Sequence, residues 1–477
     1  MVIWVVGIAL MLEGVLMLTA LPFSLYYLSG DHYPILLAAG ITALSGFIMW
    51  ISTRWNNAVK FGRKDSYLVV TLSWVLMAFF GALPFYFSGY FQNFTDAYFE
   101  SMSGFTTTGA SILKDVEIIP EGLLFWRSLT HWIGGMGIVG LSVAIMQFMG
   151  SGGTRLYSAE ASDPVKGKIH PRIREALKRL WGIYIILTVA GTLLLLAGGM
   201  NLHESLCHIF GAIGTGGFST RNASAGAFSP YIQYVLIVFM ALGATNFGIL
   251  YFTLTGKFKE IRKDEELRTY LIILLVIGIF SGLILYFNGY YDLGKSFRYG
   301  LFHIVSILTT TGYAVDNYIL WPTPVILLLF LAMFVGGSSG STTGGIKVVR
   351  IVIAFKQIIL EFKKLISPNA VIPVRLNGQI LQEGVARNAL VFLLLYLGSY
   401  VVLTFLLSLA GSNLTTSASA VAACMGNIGP GLGEVGPVGN YSMIPDFSKW
   451  VLSFAMLIGR LELFSVLLLF VPAFWKN

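Results

Sequence analysis

AYFESMSGFTTTG at residues 97–109, SLCHIFGAIGTGG at 205–217, GLFHIVSILTTTG at 300–312 and SASAVAACMGNIG at 417–429 are four copies of one pattern. In each, roughly ten helix-compatible residues end in a short tract closed by glycine. The tracts are Thr106, Thr107, Thr108, Gly109; Gly214, Thr215, Gly216, Gly217; Thr309, Thr310, Thr311, Gly312; and Gly426, Asn427, Ile428, Gly429. Ten residues make about 15 Å of helix, half the hydrocarbon thickness of a bilayer. The copies therefore read as re-entrant half-helices, each followed by an extended strand. Non-helical backbone at membrane depth has to be buried in protein or line a water-filled path, because lipid offers nothing to bond its carbonyls. Four such strands satisfy one another only around a common axis.

The surrounding sequence supplies the membrane. Of 477 residues, 56% are hydrophobic and 11% charged, and the mean hydropathy is +0.76. That is more apolar surface than a soluble core hides, and no sizeable soluble domain fits. The net charge of +8 does not point to nucleic acid, since the basic residues fall in short blocks between apolar runs. Blocks at 54–64, 155–179, 257–268 and 347–375, with Arg387 and Lys476, hold 24 of the 31 lysines and arginines. By the positive-inside rule these loops and both termini are cytoplasmic, and residues 219–229 lie outside. The first apolar segment lacks a basic leader and is too long for a signal peptide, so it reads as a retained helix.

Two leading helices are predicted at 2–27 and 33–53. Outgoing helices follow at 67–90, 175–198, 269–288 and 388–410, and returning ones at 122–149, 230–256, 322–357 and 448–472. The chain divides into the leading pair at 1–60 and repeats at 61–155, 156–262, 263–375 and 376–477. Every repeat starts and ends on the cytoplasmic side, so the copies are parallel rather than inverted. The predicted fold is an all-α polytopic membrane protein: four parallel helix–pore-helix–filter–helix repeats around a pseudo-fourfold pore, plus two N-terminal transmembrane helices.

A dehydrated K+ needs a ring of oxygens at each level of its path, and strands of small residues supply backbone carbonyls without blocking the bore. Gly109, Gly217, Gly312 and Gly429 let the backbone approach the axis. Thr107, Thr108, Thr215, Gly216, Thr310, Thr311, Asn427 and Ile428 are the candidate carbonyl donors beneath them. Any one of these glycines reads equally as a helix-packing residue; four in register do not.

Two intramembrane features stand apart. The third returning helix is interrupted by Gly336, Gly337, Ser338, Ser339, Gly340, Ser341, Thr342, Thr343, Gly344 and Gly345, which cannot sustain regular helix and fall near mid-membrane. They suit a mobile loop across the pore below the filter. Arg460 stands near the middle of the last span, where an unpaired charge costs at least a few kcal/mol. Glu462, two residues on, points to another face of the helix and is a poor partner. Arg460 therefore reads as facing the pore or a partner: a structural ion pair elsewhere in the bundle is one reading, and a pore-facing role, controlling entry below the filter or contacting the loop, is the favoured one.

Other signals are weaker. Asp96, Glu100, Glu117, Glu121, Glu204 and Glu434 are candidate cation-gathering charges at the outer mouth, most of them solvated loop residues. His203, His208 and His303 read as half-helix packing residues. Cys207 and Cys424 have no spacing for a disulfide framework or a metal site. GSTTGGIK at 340–347 lacks both the ending and the preceding strand of a phosphate loop. No nucleophile–base pair or metal cluster points to an enzyme.

Taken together, the four tracts, the leading pair, GGSSGSTTGG at 336–345 and IGRLEL at 458–463 resemble the Trk/Ktr/HKT superfamily of potassium transporters over essentially the whole chain. In that superfamily glycine at the filter position of all four repeats goes with K+ selectivity, and serine in the first repeat accompanies Na+ transport in some plant members. This chain has four glycines but departs at Gly216, Asn427, Ile428 and Pro430, which makes its filter chemically asymmetric. The resemblance implies K+ at the filter carbonyls as the transported ion, no organic cofactor, and an intramembrane gating loop at 336–345. It also implies a homodimer in the bacterial inner membrane and a cytosolic regulatory ring of TrkA type binding NAD or ATP/ADP. A K+ channel-like uptake protein is the first expectation, and a K+ or Na+ symporter coupled to H+ or Na+ through the same pore the alternative.

Overall fold

The third outgoing helix turns a row of large aliphatic side chains outward and its small residues inward. On Glu265–Phe287 the exposed face holds Leu271, Ile272, Leu275, Val276, Ile279 and Phe280, while Tyr270, Leu274, Gly278, Ser281 and Gly282 face inward. Small residues toward protein and large aliphatic ones outward is the pattern of a helix packed in lipid. The computed structural model describes residues 2–53, 62–148, 169–369, 372–381 and 383–476. Among these, six helices are long and apolar enough to cross a membrane, and two sharply bent pairs raise the number to eight. The Glu121–Phe148 helix, about 42 Å at 1.5 Å per residue, is also long enough to span. The chain is a multi-pass membrane protein.

Val2–Tyr26 and His32–Thr53 form the leading pair. They cross closely through small residues: a methyl group on Gly7 would stand 2.7 Å from the Gly46 carbonyl oxygen, and one on Gly46 would stand 2.6 Å from that of Gly7. Four repeats follow. Their outgoing helices are Arg63–Gly81, Ile169–Ala197, Glu265–Phe287 and Glu383–Leu409. Each starts four to six residues before its predicted position, because hydrophobicity marks the lipid boundary whereas helices continue until a cap. Asp264, for example, accepts the Leu267 N–H at 2.7 Å. The basic residues at 54–61 and 155–168 lie outside the described residues.

The half-helices are Phe94–Phe105, Leu202–Gly214, Leu293–Leu308 and Leu414–Gly426. Each has the same start: Asn93, Asn201, Asp292 and Asn413 accept the N–H three residues on, at 2.8, 2.7, 3.2 and 2.8 Å. Each also has the same end. The N–H of Thr108, Gly216, Thr311 and Ile428 donates to the carbonyl five residues back at 2.8 Å in every copy, the six-to-one bond that closes a helix on a left-handed residue.

The returning helices differ from one another. The first is Glu121–Phe148, without interruption. The third, as predicted, is interrupted, running Thr323–Ala332 and resuming at Val348–Ile366. The second and fourth were predicted as continuous, and the structure corrects both. Pro230–Gly243 and Phe247–Leu254 meet at 108°, and Asp446–Arg460 and Phe464–Phe470 at 112°. At the first bend the Asn246 side chain accepts from Gly248 N–H at 2.8 Å and starts a new helix. At the other, Glu462 and Leu463 have φ of 58° and 34°.

Candidate functional site

The residue before the third carbonyl of each tract is left-handed in all four repeats: φ is 51° at Thr107, 56° at Thr215, 54° at Thr310 and 54° at Asn427. Asparagine tolerates this region, but threonine, branched at Cβ, does not. The strain recurs at one position of the repeat and is of order 1–3 kcal/mol per residue, a cost that persists where the surroundings impose the geometry. Two residues later the glycines are again at positive φ, 78°, 76°, 85° and 97° at Gly109, Gly217, Gly312 and Gly429.

These glycines close a ring. A methyl group on Gly109 would stand 2.0 Å from the Gly216 carbonyl oxygen. On Gly217 it would stand 1.9 Å from that of Thr311, on Gly312 1.8 Å from that of Ile428, and on Gly429 2.7 Å from that of Thr108. The order runs from the first repeat to the fourth and back to the first, with the same two positions at every step. The half-helices end at the same ring and bring the partial negative charge of their C-termini to it. Backbone oxygens in a ring, backed by helix C-termini, stabilise a cation that has shed water.

The departures of the second and fourth tracts have structural reasons. A side chain at Gly216 would begin 1.3 Å from His131 Nδ1, so His131 of the first returning helix fills the space behind that strand. Its ring lies edge-on against Phe218 with centroids 4.0 Å apart. Asn427 donates to Thr108 Oγ1 at 3.0 Å and to the Met456 carbonyl at 2.9 Å, tying the fourth tract to the first. In the threonine tracts, Thr106 bonds Thr108 and Thr309 bonds Thr311 through their hydroxyls, both at 2.8 Å.

Residues 336–345 lie against this assembly at the end away from the glycines. Gly344 N–H donates to Thr310 Oγ1 at 3.0 Å, and a methyl group on Gly344 would stand 2.4 Å from the Gly426 carbonyl oxygen. Thr342 Oγ1 donates to the Ile213 and Gly243 carbonyls at 2.8 and 3.0 Å, and Ser338 N–H to the Ala244 carbonyl at 2.9 Å. The break in the second returning helix thus frees two of the carbonyls that hold this loop, those of Gly243 and Ala244. Arg460, fully buried, donates to the Thr342 carbonyl and, at 2.9 Å, to that of Gly134. Of its two predicted alternatives, the geometry is contact with the loop. Glu462 pairs instead with Arg350.

Lys347 is a correction. Counted among cytoplasmic basic residues, it is buried, and its ammonium donates to the Thr343 carbonyl and, at 3.0 Å, to Thr343 Oγ1. Two cations, Arg460 and Lys347, therefore hold consecutive carbonyls of the loop.

The outer acids also need correction. Asp96 pairs with Lys449 and Glu100 with Arg127, each at 2.6 Å and buried, and Glu204 pairs with Arg221 at 2.6 Å; Glu117 and Glu434 are exposed. Sequence reading missed these pairs because their partners lie 17 to 353 residues away. One signal was available. Nine residues before each ring glycine stand Glu100, His208, His303 and Ala420, and three of these fasten the strand beyond the ring. Glu100 accepts from Ser111 Oγ and Ile112 N–H at 2.8 and 2.9 Å. His208 bonds Ser219 Oγ at 2.9 Å, and His303 the Asp316 carbonyl at 3.2 Å. The histidines do pack their half-helices, as predicted. Outside the spans, burial and a hydrogen bond to Asp316 push the Tyr291 phenol above its ordinary value.

Arg127 also donates to the Ser219 carbonyl at 3.2 Å and stacks 3.4 Å over Phe218, so its pair with Glu100 joins the first two repeats. Glu100→Gln leaves a buried guanidinium without its counter-charge, at a cost of about 3–5 kcal/mol. The melting temperature in detergent is expected to fall in Glu100→Gln and to recover partly in Glu100→Gln/Arg127→Met. An unchanged melting temperature in the single variant removes the pair from the scaffold.

Residues 39–477 match the TrkH family, described as cation transport protein. The Trk system potassium uptake protein TrkH of Halomonas elongata is 37% identical over 100% of this chain and 99% of that protein. Its namesake from Escherichia coli K12 is 37% identical over 91% of this chain and 90% of its own length. The crystal structure of the potassium transporter TrkH from Vibrio parahaemolyticus superposes with a TM-score of 0.91 at 34% identity, covering 99% of both chains. Four parallel repeats, a leading helix pair and full-length similarity lead to one conclusion: the chain belongs to the TrkH family of cation transport proteins.

Proposed function

We propose that this protein carries K+ across the bacterial inner membrane through a channel-like pore, with the glycine-closed carbonyl ring as its selectivity filter. The observation that carries the proposal is the closure of Gly109, Gly217, Gly312 and Gly429 on the carbonyls of the neighbouring repeats. The ion binds at the backbone oxygens of Thr107, Thr108, Thr215, Gly216, Thr310, Thr311, Asn427, Ile428 and the four glycines. Relatives named as potassium uptake proteins support K+ as the substrate.

Residues 336–345 are the gate. They touch the tracts of the third and fourth repeats and are held by Arg460. Both termini and the basic loops face the cytoplasm, where a nucleotide-binding ring of TrkA type engages the protein, itself a homodimer.

Reversal potentials of the purified protein in opposed K+ and Na+ gradients test this reading. Potentials that follow passive permeation, with K+ favoured, are expected. A fixed coupling ratio to H+ or Na+ would select the symporter instead.

A further inference from the structure

The Glu266 carboxylate is a buried acceptor for which the ion path described above has no use. It stands in the first turn of Glu265–Phe287 and is 6% exposed. One oxygen accepts the Ser339 N–H at 2.6 Å and the Val349 N–H at 3.2 Å; the other accepts the Ser339 hydroxyl at 2.7 Å. Ser339 lies within the intramembrane loop, and Val349 is the second residue of the helix that follows it. A single side chain thus gathers the loop and the helix after it onto the third outgoing helix. A carboxylate beside a helix start is favoured by the helix dipole, and its hydrogen bonds are roughly twice as strong as neutral ones.

The helix start that carries Glu266 is itself anchored. The Glu265 N–H donates to Asn377 Oδ1 at 2.8 Å, in the turn of the short hairpin pairing Arg375–Leu376 with Gln379–Ile380. The Glu265 carboxylate pairs with Lys356, which also donates to the Arg375 carbonyl at 2.7 Å. Arg460 and Lys347 grip the loop at Thr342 and Thr343. Glu266 holds it from the third outgoing helix, at Ser339, and is the acceptor of the set where those two are donors.

We propose that Glu266 is a positioning residue that latches the intramembrane loop closed by accepting from Ser339 and Val349. The proposal rests on the reading of residues 336–345 as the gate. Glu266→Gln keeps the volume but removes the charge: its amide oxygen can still take the Ser339 and Val349 N–H groups, now as weaker neutral bonds, while its amide nitrogen cannot accept from the Ser339 hydroxyl. In liposomes containing the purified full-length protein, basal K+ flux is expected to rise about tenfold, with the K+/Na+ permeability ratio unchanged. Ser339→Ala removes one of the three bonds and is expected to raise flux about twofold. The double variant should not exceed Glu266→Gln alone, since both changes undo one contact.

Deletion of residues 338–343, measured in parallel, separates the two readings. If the deletion raises flux and Glu266→Gln does not, the latch is overturned and the gate stands. If neither raises flux, the gate reading falls and the latch with it. If Glu266→Gln does not fold, Ser339→Ala decides: a rise in flux upholds the latch, and wild-type flux overturns it. Additive effects in the double variant, or a collapsed permeability ratio in Glu266→Gln, also overturn it, because the carboxylate would then act elsewhere.

Discussion

Deletion of residues 338–343 is expected to raise basal cation flux through the purified protein about tenfold or more, with the K+/Na+ permeability ratio within about twofold of wild type. The loop is held by bonds from the second and fourth repeats: Thr342 to Ile213 and Gly243, Ser338 to Ala244, and Arg460 to Thr342. A closed state favoured by only about 1.4 kcal/mol already leaves the path open roughly a tenth of the time, so removing the obstruction releases at least that factor. Arg460→Ala acts in the same direction by two routes. It frees the Thr342 and Gly134 carbonyls, and it removes a positive charge worth about 1–3 kcal/mol to a cation 6–12 Å away at an effective dielectric near 20. Lys347 remains in that variant and still holds Thr343, so the deletion should exceed the point substitution. Flux at wild-type levels in folded protein would sink the gate assignment. A collapsed permeability ratio would make loop and ring one structural unit, which the Gly344 to Thr310 bond allows as a physical outcome.

The parts of this molecule that were legible in the sequence are those set by local chemistry repeated in register. Four tracts ending in glycine implied an axis, because membrane-depth backbone has no other way to satisfy its carbonyls. Ten consecutive small and hydroxylated residues at 336–345 announced a break in a helix because glycine, serine and threonine sustain helix poorly. The bends at 244–246 and 461–463 were not legible, since each is a few residues in an apolar run. Distant partners meet each of them: the loop takes the Gly243 and Ala244 carbonyls left free at the first, and the Glu462 side chain at the second pairs with Arg350. Glu100 and Asp96 read as mouth charges until the fold brings Arg127 and Lys449 to 2.6 Å from them. Gly216 looked like a departure from the threonine pattern, and His131, 85 residues earlier in the chain, is what fills the space a side chain there would need. Charge and packing across repeats are tertiary facts, and the register of the repeats marks only one side of them, the polar residue nine before a ring glycine in three of the four copies.

The ring makes an ordered prediction for its four glycines. Serine at Gly312, Gly217 or Gly109 would place its Cβ 1.8, 1.9 or 2.0 Å from a backbone oxygen of the next repeat, so the carbonyl it meets has to move. Serine at Gly429 meets Thr108 at 2.7 Å and the Gly109 backbone at 2.8 and 2.9 Å, a smaller displacement. All four carry the added cost of a side chain at positive φ, about 1–2 kcal/mol each, which strains but does not dismantle a scaffold buttressed at both ends of every half-helix. K+ and Na+ differ in how closely oxygens must approach, and a displacement of one carbonyl in the ring that costs K+ about 1.4 kcal/mol relative to Na+ reduces discrimination tenfold. Gly312→Ser, Gly217→Ser and Gly109→Ser are therefore expected to lower the K+/Na+ permeability ratio by about tenfold, and Gly429→Ser by less. Bi-ionic reversal potentials of the folded variants in liposomes measure it. Unchanged ratios in both Gly109→Ser and Gly312→Ser would remove these glycines from the filter, and equal losses at all four positions would mean that the steric order of the ring does not set its selectivity.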